Sequence, residues 1–329
     1  MPRLDRLLRL AAAAVILAAI APLGARLWWG LELASHFRLQ YAVAGLSLAV
    51  LLVLRRRFVW SAALAAASAL GVPSLLAYPP LPTFNPRSAH ATATEQSGPS
   101  ATSLKIASAN LFFRNTDAGR LAPIVEAASP DLVVLEEFTP AAAQALQHLA
   151  HEYPHRVEAP AYGPYGIALL SRYPLEGAQP FALGQTTAIK ARVTTPSGTF
   201  TIIGVHLRSP TSAAGAAERN RQLGLLAAER ARIADPLVVI GDFNVSPFSP
   251  YYRDWLAETR LDDTRRGRTY LATWPTFLPI FSIPIDHCFF SKEFRLTGLR
   301  RLAAFGSDHY PLVAELVLEH SDHALSVHR

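Results

Sequence analysis

Cysteine is almost missing: the 329 residues hold one, Cys288. That excludes a disulfide framework within the chain and any cysteine-based zinc cluster. Charge is scarce as well. Only 17% of the residues are Asp, Glu, Lys or Arg, against roughly 25% in ordinary globular domains. With 50% of the residues hydrophobic, the chain is not mostly disordered, and a simple water-soluble domain fits it poorly. Its length suits one large domain or two smaller ones, at about 100–200 residues each.

Positive charge is missing where nucleic-acid binding would need it. The net charge is +6, yet residues 1–82 carry eight Arg and two acidic residues, while residues 83–329 carry 23 basic and 23 acidic residues. The whole excess sits among the N-terminal apolar segments. It reads as membrane topology rather than as a basic DNA-binding face.

Those segments are Leu10 to Ala25, Leu39 to Leu54 and Phe58 to Pro82, each free of charge. A membrane-spanning helix needs about 20 residues. The third run is long enough alone, and the first two need their flanks. A cleaved signal peptide would account only for the first. No acidic or His residue interrupts the apolar cores, so no proton relay or ion site is visible there, which argues against a transport or sensor element. Arg3, Arg6 and Arg9 precede the first run, and Arg55, Arg56 and Arg57 separate the second from the third. The connector between the first two has Arg26, Glu32 and Arg38, with Trp28 and Trp29 as interface anchors. The positive-inside rule then predicts a cytoplasmic N-terminus and an extracytoplasmic globular part. The expected setting is a bacterial inner membrane, crossed about three times.

The expected organisation is a membrane region over 1–82, a linker over 83–103, a catalytic domain over 104–319 and a polar tail over 320–329, whose His320, His323 and His328 read as solvated. From Leu104 onward, β-type and helix-type runs alternate. The strands expected are Leu104–Ala109, Leu132–Leu135, Ile167–Ser171, Ala188–Thr194, Phe200–His206, Leu237–Gly241, Asp286–Phe290 and Leu312–Val317. The helices expected are Ala118–Ala128, Pro140–His151 and Ala213–Ile233. The mix predicts an α/β fold with sheet cores and outer helices.

Polar residues recur at the ends of the apolar strands: Asn110, Glu137, His206, Asp242 with Asn244, Asp286, and Ser307-Asp308-His309. Singly, each has a bland reading as a turn former, a cap or a hydrogen-bonded histidine. As an ordered set they are far more specific. A rigid strand end presents a side chain to a cleft, and repeated carboxylates suit a hard cation with oxygen ligands.

This ordered set closely resembles the endonuclease/exonuclease/phosphatase superfamily of metal-dependent phosphoesterases. The resemblance runs from about Leu104 to Leu318. It rests on the Pro130–Glu137, Gly241–Asn244 and Gly306–Leu312 motifs, with Gly166–Pro174 as a scaffold match. It implies a four-layer α/β/β/α sandwich, deoxyribonuclease-like, with the site at one sheet rim. It implies Glu137 as the principal ligand of Mg²⁺, with Mn²⁺ as an alternative, and Asn110 and Asp308 in the metal network. Glu137 is preferred to Glu136 because the family's metal glutamate comes last in the motif and because alternation puts the two on opposite faces. Asp242 and Asn244 are implied to orient the attacking water and the scissile phosphate. His309 is implied to sit at the phosphate with Asp286 orienting it, and His206 to contact phosphate or assist the leaving group. Either Asp242 or His309 is the general base.

The resulting expectation is a membrane-anchored phosphodiester hydrolase, on the family label a nuclease. The alternative is an envelope phosphoesterase acting on phospholipid or inositol phosphate, favoured by the neutral domain and by tethering near headgroups. An inactive binding module on the same fold is a further reading, opposed by the intact polar set. Arg219, Arg221 and Gln222 read as a solvated helix face rather than phosphate contacts. Arg265, Arg266 and Arg268, near Trp274, form a basic patch or a solvated loop. Leu278–Pro284 is packed, lines the cleft or touches a membrane.

Overall fold

A computed structural model describes residues 2–79 and 103–319. The expected tail over 320–329, and all of the expected linker but its last residue, lie outside the described residues.

The globular part holds two six-stranded mixed sheets. The strands are β1 (Ser103–Asn110), β2 (Leu132–Glu136), β3 (His155–Ala159), β4 (Ile167–Ser171), β5 (Leu175–Leu183), β6 (Thr186–Thr195), β7 (Gly198–His206), β8 (Leu237–Asp242), β9 (Asp262–Asp263), β10 (Asp286–Phe290), β11 (Phe294–Arg301) and β12 (Leu312–Leu318). One sheet has the order β11-β12-β1-β2-β4-β3 and the other β5-β6-β7-β8-β10-β9. Each has a parallel pair at its centre, β1 with β2 and β7 with β8. Their facing sides bury Ile106, Leu132, Val134 and Ile167 against Ile202, Val238, Ile240 and Cys288. On the outer face of the first sheet lie helices Leu121–Ala128 and Pro140–Ala145. Helices Ala213–Arg230 and Pro250–Thr259 cover the second. The result is the expected α/β/β/α sandwich.

All eight expected strands are present. The expected helix over 118–128 opens as a 3₁₀ turn at Ala118–Arg120, and the one over 140–151 divides into Pro140–Ala145 and a 3₁₀ turn at Gln147–His151. The strands not foreseen are β3, β5, β9 and β11. They are the four sheet edges. Edge strands have one ladder partner and face water on one side, so polar residues break up any apolar run.

The N-terminal region departs from expectation. Its helices are α1 (Pro2–Ile20), α2 (Trp29–Ser35), α3 (Arg38–Leu54), α4 (Phe58–Ala69) and α5 (Val72–Ala77). Among the described residues, one helical stretch, Arg3–Gly24, is long and apolar enough to cross a membrane by itself. α2 and α3 pass the same test only together, bent by 67°. The third run, expected to suffice alone, is broken between Ala69 and Val72. Pro73 in the first turn of α5 lacks the N–H that would continue α4. The 12 residues of α4 span only about 18 Å, against a hydrocarbon core of about 30 Å. Three independent spans are therefore not what folds.

α1, α3 and α4 pack through Ala12, Ala49, Leu52 and Leu64. Arg57 pairs with Asp5 at one end of this bundle. The opposite end meets the sandwich. Arg26 bonds Asp254 at 2.8 Å, the Gly267 N–H donates to the Ala77 carbonyl at 2.7 Å, and the Tyr270 N–H donates to the Pro79 carbonyl at 2.7 Å. Tyr78 packs edge-on against Phe248.

Candidate active site

The alternation that builds the inter-sheet core also delivers the polar residues. Ile106, Ser108 and Asn110 share one face of β1, as do Val238, Ile240 and Asp242 on β8. Beyond the last apolar residue the same face turns polar at the sheet rim. Register then aligns the strand ends. His206 lies opposite Asp242 across β7 and β8, and Asp286 lies opposite Asp242 across β10 and β8. Gly241 makes this closeness attainable. It sits at φ +144°, and a Cβ there would fall 1.9 Å from the Val205 carbonyl oxygen.

Asn110 donates to Asp242 at 3.0 Å and to Glu137 at 3.2 Å, bridging the two sheets. Asn244 donates through Nδ2 to Asp242 at 3.2 Å and to the Leu207 carbonyl at 2.9 Å, and lies 3.3 Å from His206 Nε2. His309 Nδ1 meets the Asp286 carboxylate at 2.9 Å, while its Nε2 lies 3.8 Å from Asp242. Seven of the eight expected residues thus form one contiguous network. The eighth, Asp308, lines the same cavity and accepts a hydrogen bond from Trp274 Nε1 at 3.0 Å. Ser307 ties the loop down, donating to the Asn110 carbonyl at 2.7 Å and accepting from the His309 N–H at 3.0 Å.

The two adjacent glutamates part ways, though not by simple alternation. Glu136 ends β2 on the inter-sheet face, fully buried, and accepts from Ser108 at 2.7 Å. Burial foremost, with the Asp286 and Asp242 charges adding, raises its carboxyl well above the usual range. Glu137 lies past the strand at φ +55°. That turn, not the pleat, brings its side chain to the cavity, where it also accepts from the Phe113 N–H at 2.7 Å. Phe112 and Asn244 also line the cavity at positive φ. Non-glycine residues hold such backbone only where the surroundings over-determine it, and they cluster at functional sites.

Burial alone would depress the His309 imidazole, but the Asp286 and Asp242 carboxylates outweigh it and push it up to about 10. Asp242 is raised to about 6, chiefly by burial; His309 and His206 pull against that, and the Asp286 charge adds to it. Ligand atoms of Asp242, Asp286 and His309 lie within 4.8 Å of one another. Glu137 and Asp308 stand outside that tightest group, Glu137 joining it through Asn110. The donor set is dominated by carboxylate oxygens and fits a hard divalent cation.

Two expectations for neighbouring residues fail in part: Arg221, Arg266 and Arg268 are exposed as expected, but three of their companions are not. Arg219 and Gln222 are fully buried rather than solvated. Arg219 Nη2 bonds Glu32 at 2.7 Å, and its Nη1 bonds the Asn244 carbonyl at 3.0 Å. Arg265 is likewise buried, against His287 at 3.1 Å. Sequence reasoning also missed Leu33, His36 and Phe37, which line the cavity from the N-terminal region. No local signal marks them. They reach the site only through the packing of the connector onto the sandwich.

A sandwich of this architecture, with a carboxylate–imidazole site where its two sheets meet, defines a phosphoesterase-type fold. The model of the endonuclease/exonuclease/phosphatase family matches residues 107–309, and the chain belongs to that family. It is a metal-dependent hydrolase acting on phosphate esters. Solved structures with the same fold include an endonuclease/exonuclease/phosphatase from Beutenbergia cavernae, 23% identical, with a TM-score of 0.53 over 66% of this chain and 72% of that one. TDP2 from D. rerio, complexed with single strand DNA product, is 19% identical, with a TM-score of 0.55 over 65% of this chain and 99% of that one. A family protein from Bacteroides thetaiotaomicron is 19% identical, with a TM-score of 0.54 over 67% and 99%. No curated protein matches the chain.

Proposed function

We propose that the chain is a membrane-anchored phosphodiesterase that uses Mg²⁺ and a His309–Asp286 pair. The observation that carries this reading is the aligned rim of His206, Asp242 and Asp286, with His309 bonded to Asp286. Glu137, Asn110 and Asp308 are the residues assigned to the ion, beside Asp242. A bound Mg²⁺ would neutralise the non-bridging phosphate oxygens and stabilise the leaving oxygen.

The chain's own groups supply the rest. Asp286 fixes the His309 tautomer and stabilises its protonated form, so the ring donates to the phosphate through Nε2. Asp242, raised to about 6, is the better base near neutral pH, and it takes the proton of the attacking water. Asn244 and His206 donate to the phosphate where negative charge develops. The full-length protein in detergent is expected to hydrolyse bis(p-nitrophenyl) phosphate, to stop on chelation, and to recover with Mg²⁺. Turnover indifferent to chelator would sink the assignment.

The membrane reading is supported by Arg3–Gly24, whose most apolar window is only 17% buried. A soluble domain does not usually expose so continuous an apolar surface. The sandwich adjoins the Arg26 and Ala77 end of the bundle, opposite Arg57. With the positive-inside rule, that supports an extracytoplasmic catalytic domain. A reporter fused after Pro82 is expected to be active outside the cytoplasm, and a cytoplasmic signal would reverse the orientation.

A further inference from the structure

We propose that the substrate is a phosphodiester lipid drawn directly from the bilayer, its phosphate at the Asp242–His309 centre and its apolar chain against Leu33 and Phe37 of the N-terminal region and Trp274, Ile283 and Ile285 of the sandwich. This rests on the phosphodiesterase reading above and adds the substrate class.

The cavity has a volume of about 390 Å³ and a mixed lining. Glu137, Asp242 and His309 give it carboxylates and an imidazole, and Leu33, Phe37, Trp274, Ile283 and Ile285 give it apolar surface. Among the described residues no Lys or Arg lines the cavity, though Arg208 bonds the lining Tyr165. A polyanion held along its backbone draws on such cations at successive phosphates, so the lining favours a single phosphate that carries an apolar chain.

Access points the same way. Leu33 and Phe37 lie in and just after α2, which connects the apolar helices α1 and α3. From the catalytic loop the chain runs out to an exposed apolar tip and back. The Thr276 N–H donates to the Asp308 carbonyl at 2.9 Å, at the outward end. Gln40, in the first turn of α3, donates to the Ser282 carbonyl at 3.0 Å, at the return. Between these anchors Phe277 is 74% exposed and Ile280 73%, with Leu278 and Phe281 also exposed. The tip is thus tied to the end of an apolar helix, at the level where a membrane surface would meet the sandwich. Four large apolar side chains within five residues are costly in water and find a partner in the acyl boundary. The bilayer is the occupant that continues the apolar surface of α1, α3 and α4.

The reaction is a hydrolysis. Water adds to phosphorus and one P–O ester bond breaks; the water's proton passes to Asp242 and on to solvent, and the released alkoxide takes a proton from solvent, leaving as the alcohol with the monoester as co-product. No oxidant or further reactant is needed.

The test uses the full-length protein in vesicles of phosphatidylethanolamine and phosphatidylglycerol, in vesicles of sphingomyelin, with a single-stranded DNA oligonucleotide, and with soluble bis(p-nitrophenyl) phosphate. Mg²⁺-dependent release of headgroup or phospho-headgroup is expected from one of the vesicle types, and which type responds separates glycerol from sphingoid lipid. The double variant Phe277→Ser/Ile280→Ser should raise the apparent KM for vesicles at least tenfold and leave turnover of the soluble diester unchanged. Lipid turnover untouched by that variant would overturn the membrane-entry argument. Cleavage of DNA without any lipid turnover would overturn the substrate class while leaving the phosphodiesterase intact. Failure on every substrate, the soluble diester included, would overturn the underlying reading itself.

Discussion

Replacing His309 by Ala should lower phosphodiester turnover by about 10²–10⁴-fold, the usual contribution of a positioned acid or base. The imidazole is held at 2.9 Å by Asp286 and faces Asp242 through its other nitrogen. On the proposed mechanism its loss removes a donor aimed at the phosphate, so kcat should fall more than KM rises. Asp286→Asn should give much of the same loss, because an amide cannot stabilise the imidazolium. The pH profile supplies a second readout. With Asp242 as the proposed base, activity should rise through about pH 6. With His309 as the proposed protonated donor, activity should fall as pH passes about 10. His309→Ala should abolish the alkaline limb and keep the acid one, moved to higher pH because the His309 charge no longer lowers Asp242. Full turnover in the variant, or an alkaline limb that survives it, would remove His309 from the mechanism.

Glu32→Ala should destabilise the protein by about 3–5 kcal/mol, the range for removing one partner of a buried ion pair. Arg219 is 0% exposed and Glu32 1%, so the orphaned guanidinium has no water to turn to. Ser249 loses a partner in the same step, since its hydroxyl donates to Glu32 at 2.6 Å. The damage should reach the site. Arg219 also holds the Asn244 carbonyl, and Asn244 is kept at φ +49° beside Asp242 and His206. Urea unfolding of the detergent-solubilised protein measures the loss. Glu32→Ala with Arg219→Met should recover much of it, because apolar packing often replaces a buried pair at little cost. A loss below about 1 kcal/mol for the single variant would mean that the pair is solvated like a surface salt bridge.

These two predictions sit on opposite sides of what the sequence could reveal. The polar set around His309 was legible because each member sits at an end of an apolar strand, Asn110, Glu137, His206, Asp242 and Asn244 at or after its close, Asp286, Asp308 and His309 at or before its start. The eight central strands were legible from those same apolar runs. The choice of Glu137 was made partly on the pleat, and there the physical reason differs. The strand stops at Glu136, and a positive φ at Glu137 turns the side chain. Arg219 looked like a solvated helix residue because no acidic sequence neighbour is its partner: the adjacent Glu218 pairs with Arg221, and what buries Arg219 is remote. Its partner lies 187 residues away.

While the family resemblance implied the four-layer sandwich, the sequence by itself determined a layered α/β fold, polar residues at its strand ends, and an apolar N-terminal region set apart by its arginines. Those are properties of contiguous residues: hydrophobic period, strand-end chemistry and local charge. Only the tertiary structure decided that the third apolar run breaks at Gly71, that β3, β5, β9 and β11 complete the sheets as edges, and that Leu33, His36 and Phe37 wall the cavity. Edge strands carry little apolar pattern because half of each faces water. The wall and the Glu32–Arg219 pair depend on surfaces that meet only after both regions have folded, where burial rather than sequence neighbourhood selects the partner.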